Sequence, residues 1–523
     1  MMGEAPQDGL GRRRFLLVAG AAAVAGSVGG CAGPRAPVPG PPAPSPTASA
    51  APTVPPALPL DPPPLPERLL PGDPGWRLTS YGLAGAVDGY CDKVSVLPGE
   101  PVGLHVSTVA EGFRVTAYRM GWYGGALARR VWRSGWIRGR VHAPAGLDPL
   151  TRTVTAAWPR SATVPTDGWP EGAYLLRLDA AGGAQRYVPL IIRSASVAGK
   201  ILLVHAAATW QAYNGWGGRS LYLGEGGRYD ARSLAVSFDR PYDRTGMAKF
   251  LVHERAVVAL AERLGVDLAY TTGVDLDRHQ ALAGARAVFF LGHDEYWTPE
   301  MRRRVTTARD AGTNLAFLGA NTCYRRVRLE RDGRRMVCYK TDAGLDPVYA
   351  VNPELVTADF RAEPMPDPES SLVGVYYDGF PVDAPYVVTA PDHWLFAGTG
   401  AVYGDAFPHL VGVEYDRVNP GVPTPRPLEI LSHSPLMCGR RPSFADSAYY
   451  TAPSGAGVFA SGTMRWAEAL MAGTRDSPVA HGMDRRTRCF VTTVTENLLR
   501  SFARGPAGDL EPAPRDNVAD LYG

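Results

Sequence analysis

The chain has 523 residues, a formal charge of +3 and 45% hydrophobic residues. That balance excludes a disordered chain and a strongly charged nucleic-acid binder. Its four lysines stand against 50 arginines, and the arginines are scattered rather than gathered into a patch, so no nucleic-acid partner is expected.

The first segment reads as an address. Arg12, Arg13, Arg14, Phe15 and Leu16 precede an apolar run that ends at Val28 and is too short to span a bilayer. The pattern resembles a twin-arginine export signal, and Val28-Gly29-Gly30-Cys31 resembles a bacterial lipobox, whose cysteine carries lipid after cleavage. Residues 1–31 are therefore expected to direct export and to leave the protein anchored at the outer face of the cell membrane through Cys31. A short uncleaved anchor is the alternative. Of the 48 prolines, 17 fall between residues 32 and 75, a tether expected to be extended, with a reach on the order of 100 Å at ~3.1 Å per residue. Five cysteines remain beyond it (Cys91, Cys323, Cys338, Cys438, Cys489), an odd number without zinc spacing; an oxidising compartment permits disulfides but no pairing follows.

Residues 76–195 alternate apolar and polar positions. Val102, Leu104 and Val106, then Phe113, Val115 and Ala117, then Tyr174 to Leu178 and Tyr187 to Ile192 predict strands of a β-sandwich. From 196 to 505 the period changes. Compact apolar strands are expected at 201–204, 266–270, 287–291 and 315–318, with a helix over 248–264 and another capped by Thr298 and opened by Pro299. The alternation predicts an α/β domain with a doubly wound, mostly parallel sheet. Residues 340–455 remain unassigned, because strand-like pieces such as 373–377 and 411–415 lie among many prolines; residues 506–523 form a tail.

Open α/β sheets bind ligands at the carboxyl ends of their strands. There the sequence places TWQAYNGWGGRS (209–220), GHDEYW (292–297) and GANTCYRR (319–326). His293, Asp294 and Glu295 suit metal ligation or proton transfer, whereas a structural reading would have Asp294 capping the helix and His293 bonded locally. Tyr213 and Asn214 stand on a glycine-rich loop that could equally be a packed aromatic cluster, and Tyr242 in SFDRPYD is by its own residues only a turn. No GxSxG elbow, HExxH, P-loop or GxGxxG is present, which disfavours a common serine hydrolase, a zincin and a nucleotide enzyme.

Together TWQAYNGWGGRSLY, SFDRPY, GHDEYW, FLGANTCYRRVR and GVFASGTMRW, with YRMGWYGG nearer the N-terminus, resemble the large (β) subunit of N,N-dimethylformamidase. The resemblance covers roughly residues 76–505. It implies an α/β domain similar to class I glutamine amidotransferase without the cysteine, and a mononuclear iron held by two tyrosines and one glutamate. Carried onto this chain, the metal ligands fall on Tyr213, Tyr242 and Glu295, the catalytic histidine on His293, and a further acidic residue on Glu414. Phenolate and carboxylate oxygens suit Fe(III), which would lower the pKa of a water and polarise an amide carbonyl. His293 would then move protons, and Asn214 or a backbone N–H would stabilise the oxyanion. The resemblance thus implies hydrolysis of a small amide. The family's enzymes are cytoplasmic assemblies with a small partner subunit, unlike an exported and tethered chain, so dimethylformamide is not implied as the substrate and the oligomeric state stays open. Two rival readings differ in class: a lipoprotein that binds a cell-envelope ligand such as a glycan without turnover, and a glycoside hydrolase pairing Glu295 with Asp239 or Glu414.

Overall fold

The computed structural model describes residues 65–477 and 481–523. The expected export signal, the expected lipobox with Cys31 and most of the expected tether lie outside the described residues. Pro66–Gly523 form one compact unit. Among the described residues, no helix is long and apolar enough to cross a membrane, and Cys91, Cys323, Cys338, Cys438 and Cys489 are free thiols.

Toward the N-terminus two sheets face each other. One pairs Val87–Cys91 with Val102–Thr108 and Ala162–Val164; the other runs through Ser95–Val96, Gln185–Ile192, Gly172–Ala180, Gly112–Met120 and Ala128–Arg133. Alternate residues point inward, so Val102, Leu104 and Val106 meet Phe113, Val115, Leu176 and Leu178 in a shared core. At ~25 cal/mol per Å² of apolar surface buried, each such side chain contributes about 1.5–3 kcal/mol.

A seven-stranded sheet forms the centre of the remainder, in the order Leu268–Thr272, Ile201–His205, Ala287–Phe290, Asn314–Phe317, Gly457–Ala460, Arg441–Thr451 and Leu428–Cys438. The first four pairings are parallel and the last two antiparallel. Beside it Tyr376–Val387 and Ala406–Arg417, twelve residues each, form an antiparallel ribbon.

This architecture corrects the expected fold class. The chain is not a doubly wound, mostly parallel α/β protein of the glutamine amidotransferase type: it is β-rich, nearly all of its sheets are antiparallel or mixed, and most of its helices are short. The reason lies in residues 340–455. Each of the four long antiparallel strands contains proline (Pro381 and Pro385, Pro408, Pro435, Pro442), which ordinarily argues against a strand. Here the prolines sit in an irregular ribbon whose register shifts twice between Tyr377 and Val382, and on the edge strand and its neighbour, where a missing N–H is tolerated.

The helices also depart from periodicity in one place. The helix expected over 248–264 is broken into Ala248–His253 and Arg255–Leu264 at Glu254, whose backbone leaves helical geometry (φ −128°, ψ −41°). The buried Glu254 carboxylate accepts from Trp210 Nε1 at 2.6 Å and from the Ala206 amide, and it lies 2.6 Å from His205 Nδ1. These polar contacts outweigh helix continuity. By contrast Pro299–Asp310 starts where its cap predicts, with Thr298 Oγ1 accepting from the Met301 amide at 3.1 Å.

Candidate functional site

His293, Asp294 and Glu295 follow the Ala287–Phe290 strand through Gly292. Gly292 has φ +56°, and a Cβ there would stand 2.4 Å from the His253 carbonyl oxygen, so only glycine allows strand and helix to approach this closely. The Glu295 backbone is tied on both sides: its amide donates to Thr209 Oγ1 at 3.0 Å, and its carbonyl accepts from the Tyr324 and Arg325 amides.

The Glu295 side chain is the hub of the site. It is 1% exposed, Tyr213 Oη donates to Oε2 at 2.7 Å, and Tyr222 Oη lies 2.8 Å from Oε1 and 3.0 Å from Oε2. The two phenol rings stack with centroids 4.4 Å apart, and Tyr296 Oη donates to Tyr222 Oη at 2.7 Å. Arg325 approaches Oε1 at 3.3 Å while also pairing with Asp359. His293 Nε2 lies 3.4 Å from Glu295 Oε2 and 3.6 Å from Glu414 Oε2, so the imidazole stands between two carboxylates. Glu414 comes from the Ala406–Arg417 ribbon strand, and Asn321 Nδ2 donates to its Oε2 at 2.7 Å.

The two carboxylates are pushed in opposite directions. Burial raises both, but for Glu295 the closeness of the His293 imidazole, with Arg325 and Lys340, outweighs it and holds the carboxyl well below the usual range. For Glu414 burial wins and the pKa rises. Such a split around one histidine separates an ionised anchor from a group able to carry a proton. Burial, reinforced by the Glu295 charge, pushes the Tyr213 and Tyr222 phenols well above their usual range, consistent with their contacts to the carboxylate.

Of the residues singled out from sequence, the structure brings together Tyr213, His293, Glu295 and Glu414. It does not bring Tyr242 or Asn214 to them. Tyr242 lines a separate small cavity with Tyr90, Trp210, Phe238 and Arg334, and its place beside Glu295 is taken by Tyr222. The Asn214 amide is spent on its own loop: Nδ2 donates to Gln211 Oε1 and the Pro241 carbonyl, and Oδ1 accepts from the Trp216 and Asp243 amides. It is a loop clip, whereas the Asn321 amide donates to Glu414. Asp294 does not cap the helix; its carboxyl is buried without a hydrogen-bond partner among the described residues, and burial raises its pKa far above the usual range. Asp239 pairs with Arg334 rather than with Glu295.

The tyrosine loop depends on Arg240, which is fully buried. Its guanidinium donates to the carbonyls of Gln211, Asn214, Trp216 and Arg219 and to Gln211 Oε1, at 2.9 to 3.3 Å. Burial pulls its pKa down to about 10, so it stays charged at neutral pH. Arg240→Met would leave these acceptors unpaired, and a loss of ~3–5 kcal/mol of unfolding free energy is expected in urea titrations. A loss below ~1 kcal/mol would show that the loop is held by other contacts.

Among the described residues, no group of three or more His, Cys, Asp or Glu side chains could hold a metal. The donor set that fits one includes phenols: the Tyr213 and Tyr222 hydroxyl oxygens each lie 2.7 to 3.0 Å from the Glu295 carboxylate oxygens. Two oxygens each ~2.0 Å from an octahedral ion stand ~2.8 Å apart, so these three suit one small hard cation that replaces the phenol protons.

No curated protein matches this chain. Among solved structures, a cycloisomaltooligosaccharide glucanotransferase from Paenibacillus sp., complexed with cycloisomaltoheptaose, is similar over 46% of this chain and 28% of its own, at 11% identity and a TM-score of 0.14. The chain thus matches little more than a quarter of that enzyme's length, and a score so low carries no argument. The family described as "N,N-dimethylformamidase beta subunit-like, C-terminal" matches residues 114–479, a span that contains both phenols, His293, Glu295, Asn321 and Glu414. On that match, which covers well over half of the sequence, the chain belongs to the N,N-dimethylformamidase beta subunit-like family, a family of hydrolase type.

Proposed function

We propose that this protein hydrolyses a C–N amide bond of a small substrate at the Tyr213–Tyr222–Glu295 site, with a single iron ion as cofactor. The observation that carries the reading is the convergence of two stacked phenols on one buried carboxylate, with His293 between that carboxylate and Glu414. Tyr213, Tyr222 and Glu295 would hold the ion, which when bound supplies Lewis acidity that polarises an amide carbonyl. His293 would take a proton from the attacking water and pass it toward the leaving amine. Glu414, whose raised pKa suits it to carry a proton, faces the same imidazole nitrogen, and Asn321 orients it. The sequence of residues 1–31 supports export by the twin-arginine route and attachment through lipid on Cys31, so the substrate is sought outside the cytoplasm.

The test is metal removal. Protein produced with iron should contain close to one iron per chain, absorb visible light through its tyrosinate ligands, and release amine from simple formamides. Dialysis against a chelator should abolish colour and turnover together, and iron alone should restore both. Colourless, iron-free protein with undiminished turnover would refute the proposal.

A further inference from the structure

The stacked phenols carry an ammonium group at each end. Lys340 Nζ stands 3.1 Å from the centre of the Tyr222 ring, and Lys249 Nζ stands 4.1 Å from the centre of the Tyr213 ring. The two ends differ in access, because Lys340 is 1% exposed whereas Lys249 is only partly buried. Lys249 shares the short Ala248–His253 helix with His253, one turn further on, whose ring packs edge-on against His293 at 6.1 Å. This helix therefore borders the site from the tyrosines to the histidine.

The other cations here are engaged or enclosed. Arg325 is paired with Glu295 and Asp359, and Lys340 is shut behind Tyr222. Lys249 has no carboxylate within ion-pair distance among the described residues; Glu414, Glu295 and Asp243 act on it only from further away, and Arg244 opposes them. Burial pulls the Lys249 pKa below its ordinary value; an ammonium drawn from water against a π surface has lost hydration without gaining a counter-ion, and a bound anion restores that loss.

We propose that Lys249 is the specificity-determining residue of the site, and that the substrate is an amide whose end remote from the scissile bond carries an acidic group. This inference rests on the amide-hydrolase reading. The test uses the full-length, iron-loaded protein with N-formylglycine and the uncharged N-ethylformamide, measuring both binding by calorimetry and kcat/KM. The wild-type protein should favour the acid by about tenfold or more, the scale of one charge-assisted contact. Lys249→Gln should bring the ratio of the two substrates to about one, and Lys249→Arg should keep most of it. Equal or better binding and turnover of the neutral amide, or a ratio unchanged in Lys249→Gln, would overturn the assignment and leave Lys249 as a prop for the Tyr213 ring. Selective binding of the acid with hydrolysis of neither amide would sink the hydrolase reading while supporting Lys249 as an anion contact.

Discussion

Glu295→Ala is expected to abolish iron retention and amide hydrolysis together, with kcat/KM falling by on the order of 10³-fold or more, about 4 kcal/mol of transition-state stabilisation. The effect is large because one carboxylate serves several partners: it meets both phenols and lies beside Arg325 and His293. Removing it also leaves a buried guanidinium short of one of its two counter-charges, so unfolding free energy should fall by ~3 kcal/mol. Glu295→Gln separates the effects, since its amide oxygen can still accept from the phenols. It should recover much of the stability while remaining iron-poor and inactive. Retention of iron and activity in Glu295→Ala protein would refute the proposed site.

Tyr222→Phe should be the second severe change, and its contrast with Tyr242→Phe decides the ligand set. Loss of the Tyr222 hydroxyl removes one of three converging oxygens and the acceptor of Tyr296 Oη, while the ring can still stack on Tyr213 and face Lys340. Iron content should drop at least tenfold and the visible band should weaken and shift, with the fold retained by circular dichroism. Tyr242→Phe should leave iron content and spectrum as in the parent, because that side chain lines a different cavity. The reverse result, with iron lost on changing Tyr242 and kept on changing Tyr222, would show that the loops rearrange around the metal.

Much of this site was legible in the sequence, and the misses have physical causes. GHDEYW was recognisable because a compact apolar strand led into ionisable residues and a helix cap, a local pattern the structure keeps. Tyr213 and Tyr222 stand in one motif, yet Tyr222 could be read as core because an aromatic residue on a glycine-rich loop packs or binds equally well. The lysines carried an unused signal: of only four in the chain, Lys249 and Lys340 flank the phenols. Asn321 was hidden because its role depends on Glu414, 93 positions away.

By itself the sequence determined the local elements: alternating strands over 102–117 and 174–192, the buried strand before His293, the capped helix at Pro299, and the family motifs. These depend on periodicity and capping among residues close in the chain. Only the tertiary structure decided the fold class, the partner phenol and the placing of Glu414 opposite His293. Long antiparallel strands formed despite their prolines, because pairing with distant neighbours outweighed local preference. That same pairing carried Glu414 to His293, and Arg240 held the loop that turns Tyr213 and Tyr222 onto one carboxylate. Such convergence arises from contacts between residues far apart in the chain, which no local pattern records.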